Sequence, residues 1–215
     1  MNSLIKKIVT RSKQRFSSMD YWEQRYLSGG NSGSGSYNHL AAFKADYIND
    51  FITTHKINSA IEFGCGDGNQ LSLIKYPKYK GLDVSQTSIK ICQSQFTNDS
   101  TKSFQVHNPY TFKKKEIEEY DISVSLDVIY HLVEIELFNL HLTHLFQSAS
   151  RFVIIYSTNF DESQINHERN HHFTKWIEKN QQQWKLFMTK RNPFKIETNL
   201  EKKSLCDFFV YQKIS

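Results

Sequence analysis

The chain has 215 residues, 39% hydrophobic and 14% aromatic, with 27 Lys and Arg against 22 Asp and Glu for a formal charge of +5. That is apolar material for one substantial core, and no stretch approaches the ~20 consecutive apolar residues of a membrane-spanning helix. Cys65, Cys92 and Cys206 form no CxxC pair and do not cluster with histidines, which excludes a disulfide framework or zinc knuckle and points to a reduced, cytoplasmic setting.

Residues 1–20 read as a basic N-terminal arm or helix. Leu4, Ile5, Ile8 and Val9 oppose Lys6, Lys7, Arg11, Lys13 and Arg15, without the continuous apolar centre of a signal peptide. Next comes "SGGNSGSGS" at 28–36, a linker by composition. Leu40, Phe43, Tyr47, Ile48, Phe51 and Ile52 then recur at three and four, predicting a helix over 38–56 with Asn38 as its cap. A strand "SAIEF" leads to a second glycine cluster, "EFGCGDG" at 62–68, and a short helix over 69–74.

The remaining elements are strand "YKGLDV", helix "SQTSIKICQSQF", strand "KSFQVH", strand "YDISVSL", helix "HLVEIELFNLHLTHLFQSA", strand "RFVIIYS", helix "FTKWIEKNQQQW", then strands "KLFMTKR" and "SLCDFFVYQKI". "KKK" at 113–115 is a solvated face. The mild charge is spread along the chain, so composition permits nucleic acid without indicating it. Strands alternating with helices predict an α/β fold with a seven-stranded, mostly parallel sheet. Its helices lie on both faces, and its last two strands form an antiparallel edge hairpin. No repeat or second domain is visible, so residues 21–215 read as one domain.

In open α/β sheets the first strand-to-helix turn is glycine-rich so that backbone can approach a ligand. Gly64, Gly66 and Gly68 occupy that turn with GxGxG rather than GxGxxG spacing. Asp83 ends the second strand 19 residues after Gly64, placed to pair with a ribose diol. Glu62 and Asp67 flank the turn. Two acids there would repel a pyrophosphate but tolerate a zwitterionic amino acid carrying a sulfonium.

With an acid before GxGxG and an acid ending strand two, the chain resembles the class I S-adenosylmethionine-dependent methyltransferases, which have a Rossmann-like sheet with an antiparallel final hairpin. The resemblance extends to "YWEQRY", "FKADYINDF", "HFTKWI" and "CDFFVYQK", which look like a bacterial subgroup associated with cell-surface polysaccharide or secondary-metabolite pathways. It implies that S-adenosyl-L-methionine is bound and S-adenosyl-L-homocysteine released. Glu62 and the backbone of Gly64, Cys65 and Gly66 would hold the methionine moiety, Asp83 the ribose, and Val84 the adenine face. Asn108 would meet the adenine amino edge, although the family often has an acid there. Leu126 and Asp127, in "SLDVIYHL", would face the methionine end.

His131 is the candidate general base, with a helix-packing role as the alternative. Tyr130 replaces an acid that binds metal in related quinone-type enzymes, so no metal is expected, although Asp127 with His131 leaves an opening. Arg169, His171 and His172 in "NHERNHHF" are candidate acceptor-binding residues, with a solvated loop as the alternative. Because the N-terminal region of such enzymes folds over the methionine end, residues 21–56 are expected to act as a lid. Ser32, Gly35 and Ser36 of the first glycine cluster would close on the ligand.

The expected function is methyl transfer to an oxygen or nitrogen of a small polar acceptor, such as a sugar or a cell-surface or secondary-metabolite intermediate. "NPY" at 108–110 follows the third strand, not the fourth, and lacks a proline of the DNA amino-methyltransferase turn, so DNA is not expected as partner. RNA methylation and non-catalytic cofactor binding remain alternatives, and glycine spacing disfavours an NAD(P)-dependent oxidoreductase. The sequence leaves acceptor identity and oligomeric state open.

Overall fold

The computed structural model describes residues 16–113, 118–196 and 203–214. The amphipathic pattern over 1–15 and most of the 113–115 lysine run lie outside them. The helices are α1 (Ser18–Leu27), α2 (Asn38–His55), α3 (Gln86–Gln95), α4 (Ile135–Gln147) and α5 (Phe173–Asn180). The strands are β1 (Ala60–Phe63), β2 (Tyr79–Asp83), β3 (Lys102–Val106), β4 (Tyr120–Leu126), β5 (Ala149–Ser157), β6 (Trp184–Lys190) and β7 (Asp207–Lys213).

Side-chain alternation along the strands divides the apolar residues between two cores. Ile122, Val124, Phe152, Ile154, Phe208 and Val210 face one side and pack with Ile48 and Phe51 of α2 and Ile89 and Cys92 of α3. Ile61, Phe63, Val153 and Ile155 face the other and pack with Leu137, Leu142 and Leu145 of α4 and Phe173 and Ile177 of α5. Among the described residues the strand order is β3-β2-β1-β4-β5-β7-β6. Pairing is parallel from β3 to β5, while β7 runs antiparallel to both β5 and β6. This is the sheet that the sequence pattern predicts.

Three local expectations are corrected. The helix expected over 69–74 is only a 3-10 turn at Leu71–Leu73. Asn38 does not cap α2: it is the first helical residue, at φ 52°, and Tyr37 holds the cap position without a side-chain capping bond to the helix. The helix read from His131 begins four residues later. The preceding turn is tied to α1 instead: Val133 N donates to Ser18 Oγ (3.1 Å), and Ser18 N donates to Glu134 Oε1 (2.9 Å). None of the described helices is long and apolar enough to cross a membrane.

Candidate active site

Strand order reverses between β1 and β4, so the loops after their C-terminal ends diverge and leave a crevice. The cleft there spans about 900 Å³ including its open mouth. It is lined by Glu62, Gly64, Cys65 and Gly66 of the first turn, by Asp83 and Val84 after β2, and by Leu126 and Asp127 after β4. Gly66 sits at φ 56°, and a Cβ there would overlap the Ser32 hydroxyl, so only glycine admits both this backbone and the segment lying on it.

Two buried acids define the wall. Asp83 Oδ2 accepts from Gly66 N (2.9 Å) and its Oδ1 from Ser85 N (2.9 Å). Burial raises its pKa, and these bonds oppose the rise. Glu62 Oε2 accepts from Tyr79 Oη (2.6 Å). Burial pushes the Glu62 carboxyl up to about 7, against the Tyr79 bond and the Lys44 charge.

The first glycine cluster is not a free tether. Ser32 N donates to Asp67 Oδ2 (2.8 Å), Asp67 N donates to Ser32 Oγ (3.0 Å), and Tyr37 Oη donates to the same Asp67 oxygen (2.8 Å). Asn69 Nδ2 donates to Ser36 O (2.6 Å). Ser32 and Ser36 therefore reach the cleft wall. Gly35 does not line the cleft but packs on Asp127, where an added Cβ would lie 2.9 Å from Oδ2.

At the end of β4, Asp127 forms an ion pair with Lys44 of α2, and Tyr130 Oη donates to its other oxygen (3.1 Å). His131 lines the cleft beneath α1. Its ring stacks on His167 (5.1 Å, 12°) and meets Trp22 edge-on (4.9 Å). Burial, then the His167 charge, bring its pKa down to about 4. Among the described residues, His131, His167 and Glu168 are grouped closely enough to offer atoms to a metal ion. The stacked imidazoles nevertheless lie in near-parallel planes, whereas ligand lone pairs must converge.

Tyr130, Arg169, His171 and His172 do not line this cleft. His171 is buried, stacks on Phe138 (4.2 Å), and has Nε2 2.9 Å from Leu132 O. His172 precedes α5, with Nδ1 3.1 Å from Thr174 Oγ1. Arg169 Nη1 donates to Val133 O (3.3 Å). Arg169 and His171 instead help line a separate polar hollow with Asp161, Glu162, Ser163 and Asn170.

Asn108 is also displaced from its expected place. Its Oδ1 accepts from Tyr110 N (3.0 Å), a local turn bond, while His107 stands on the cleft wall with His141. The sequence reading missed α1, whose Met19, Trp22 and Tyr26 form a wall; their spacing of three and four was the available signal. It also missed Lys44, His107 and Gln70. Among the described residues, the Nε2 of His107 and Oε1 of Gln70 are buried without a hydrogen-bond partner. Lys44 had a signal: it lies four residues from both Leu40 and Ile48, on the apolar stripe of its helix.

No family model and no curated protein matches the chain. Solved structures do. One is the N-methyltransferase NodS from Bradyrhizobium japonicum WM9 with S-adenosyl-L-homocysteine: TM-score 0.68, 10% identity, covering 93% of this chain and 100% of that one. Another is magnesium protoporphyrin IX methyltransferase (ChlM) from Synechocystis PCC 6803 with the same ligand: TM-score 0.64, 14% identity, covering 91% and 97%. A third is the methyltransferase domain of bacterial CtHen1: TM-score 0.59, 17% identity, covering 79% and 97%. Together with the strand order, these similarities establish that the chain has the class I methyltransferase fold.

Proposed function

We propose that the chain is an S-adenosylmethionine-dependent methyltransferase, acting in the cytoplasm on an oxygen or nitrogen of a small polar acceptor. The observation that carries this reading is the cleft at the β1–β4 crossing. It combines a glycine turn, buried acids at the ends of β1 and β2, and a backbone segment latched over the same turn. The site also fits the cofactor in its unmet polar groups: Gln70 Oε1 and His107 Nε2, on residues of the cleft wall, are buried without partners among the described residues. Orphaned buried groups are costly unless something completes them.

In this reading Asp83 uses its remaining lone pairs for the ribose hydroxyls, and Val84 packs on the adenine. Glu62 and the Gly64–Gly66 backbone hold the amino-acid end, with Ser32 and Ser36 closing over it and Gly35 resting on Asp127. When bound, the cofactor supplies a methyl group activated by its sulfonium. The protein contributes alignment, exclusion of water by α1 and the lid, and fixed polar groups. His131 lies at the acceptor end. With its proton affinity lowered by burial, it serves better to hydrogen-bond and orient the nucleophile than to draw off a proton near pH 7.

Thermal shift with S-adenosylhomocysteine against NAD and NADP tests the cofactor. Stabilisation by a dinucleotide alone would overturn it. Methyl transfer from labelled cofactor to sugars, amines and small RNAs then sorts the acceptors.

A further inference from the structure

Lys44 is fully buried on the face that α2 turns to the sheet. An unpaired ammonium there would be strongly destabilising. Its partner, Asp127, immediately follows β4 and sits at φ 59°, a backbone region that residues other than glycine rarely adopt. The two carboxylate oxygens are engaged by different elements: Lys44 on Oδ2 from α2, and Tyr130 on Oδ1 (3.1 Å) from the turn after β4. The Lys44 ammonium also lies 5.3 Å from the centre of the Tyr156 ring of β5. Lys44 and Tyr130 do not line the cleft. Asp127 does, beside Glu62 and Ser36, and Gly35 of the lid rests on it.

Joining α2 to β4 does not call for this arrangement, since an apolar pair of similar volume would serve folding as well. A buried ion pair, a left-handed backbone and a second donor all act on one carboxylate, and that carboxylate is the member of the group facing the cleft. Such over-determination is typical of a group whose position matters to a ligand.

We propose that Lys44 is a positioning residue acting through Asp127. It fixes the Asp127 carboxylate under the lid, where Asp127 and Glu62 together receive the ammonium of the ligand's amino-acid end. The inference rests on the cofactor reading above. An ammonium has three N–H donors, enough for both acids, and the engaged Asp127 carboxylate retains lone pairs to accept one. Because Lys44 neutralises Asp127 at long range, the effect is a hydrogen bond at contact distance. It should be felt by the amino-acid end of the ligand and not by its adenosine.

The test compares S-adenosylhomocysteine with 5′-methylthioadenosine, which keeps the adenosine and thioether but lacks the amino-acid portion, by calorimetry on the full chain. In Tyr130→Phe, which removes only the donor to Oδ1, S-adenosylhomocysteine should bind about five- to tenfold more weakly, with 5′-methylthioadenosine within about twofold of wild type. In Lys44→Met, which removes the ammonium and leaves the Asp127 carboxylate in place, the loss should exceed about tenfold for the first ligand and again spare the second. Unchanged affinity for S-adenosylhomocysteine, or equal losses for both ligands, in either variant would overturn the proposal and leave the pair a folding device. If Lys44→Met does not fold, Lys44→Arg, which keeps the charge but shifts it relative to the Asp127 oxygen, decides the matter by the same comparison of the two ligands. Wild-type protein that binds neither ligand would refute the cofactor reading instead.

Discussion

Replacing Asp67 with Ala tests whether the first glycine cluster is a lid. The carboxylate accepts two hydrogen bonds that tie residues 32–37 to the glycine turn, from Ser32 N and Tyr37 Oη, both 2.8 Å. Hydrogen bonds to a charged group contribute about 1.5–3 kcal/mol each, and partial exposure places these near the lower end, about 3 kcal/mol together. The Asp67 N to Ser32 Oγ bond and the Asn69 to Ser36 bond survive the substitution. The docked population therefore falls without the core being touched. If binding requires the docked segment, the apparent affinity drops with that population, by about 10- to 150-fold for about 1.4–3 kcal/mol. Calorimetry with S-adenosylhomocysteine measures the loss, and limited proteolysis reports opening at 28–36, with faster cleavage of the variant and ligand protection in wild type. Unaltered affinity alongside accelerated cleavage would show that the segment is latched but irrelevant to the ligand.

Glu62 and His131 give opposite pH signatures. With its carboxyl raised from an ordinary 4.5 to about 7, Glu62 keeps a proton that the unfolded chain has already lost. Stability of the ligand-free protein should thus decline as pH rises from 4.5 through 7, and Glu62→Gln should flatten the decline. Affinity for a ligand presenting an ammonium should instead increase across pH 7 and level off above it, as calorimetry at pH 5.5–8.5 would detect. His131, lowered from 6.5 to about 4 mainly by burial, costs stability as pH falls from 6.5 towards 4. Its ring protons should titrate near 4 by NMR and move towards 6.5 in Trp22→Ala, which opens the roof; a wild-type midpoint near 6.5 would contradict closure by α1.

Much of the fold is legible because short buried strands and amphipathic helices alternate with distinct periods, and because GxGxG and Asp83 occupy fixed places in that order. Side-chain partnerships across the sheet are less legible. Lys44 and Asp127 are 83 residues apart and meet only because α2 packs over the end of β4. The resemblance points to Asn108 by its place just past β3, yet strand pairing decides which residue faces the cleft: His107 N still donates to Asp83 O (2.8 Å), continuing the β3 ladder. The histidines at 167, 171 and 172 look like one cluster in sequence. In space they separate into a ring stack under α1, a core contact on Phe138 and a position before α5. The glycine-serine stretch has linker composition; the resemblance makes it an expected lid, and the bonds that Ser32, Tyr37 and Ser36 make with Asp67 and Asn69 show that it is docked on the glycine turn.

The central claim is that the two glycine clusters and the acids Glu62 and Asp83 form one S-adenosyl site. Calorimetric titration of the full chain with S-adenosylhomocysteine, run beside Asp83→Ala, tests it most directly. The account predicts saturable, one-to-one binding by the wild type and loss of binding in the variant, with no response to NAD or NADP. Binding of a dinucleotide in place of S-adenosylhomocysteine, or undiminished affinity in Asp83→Ala, would contradict it.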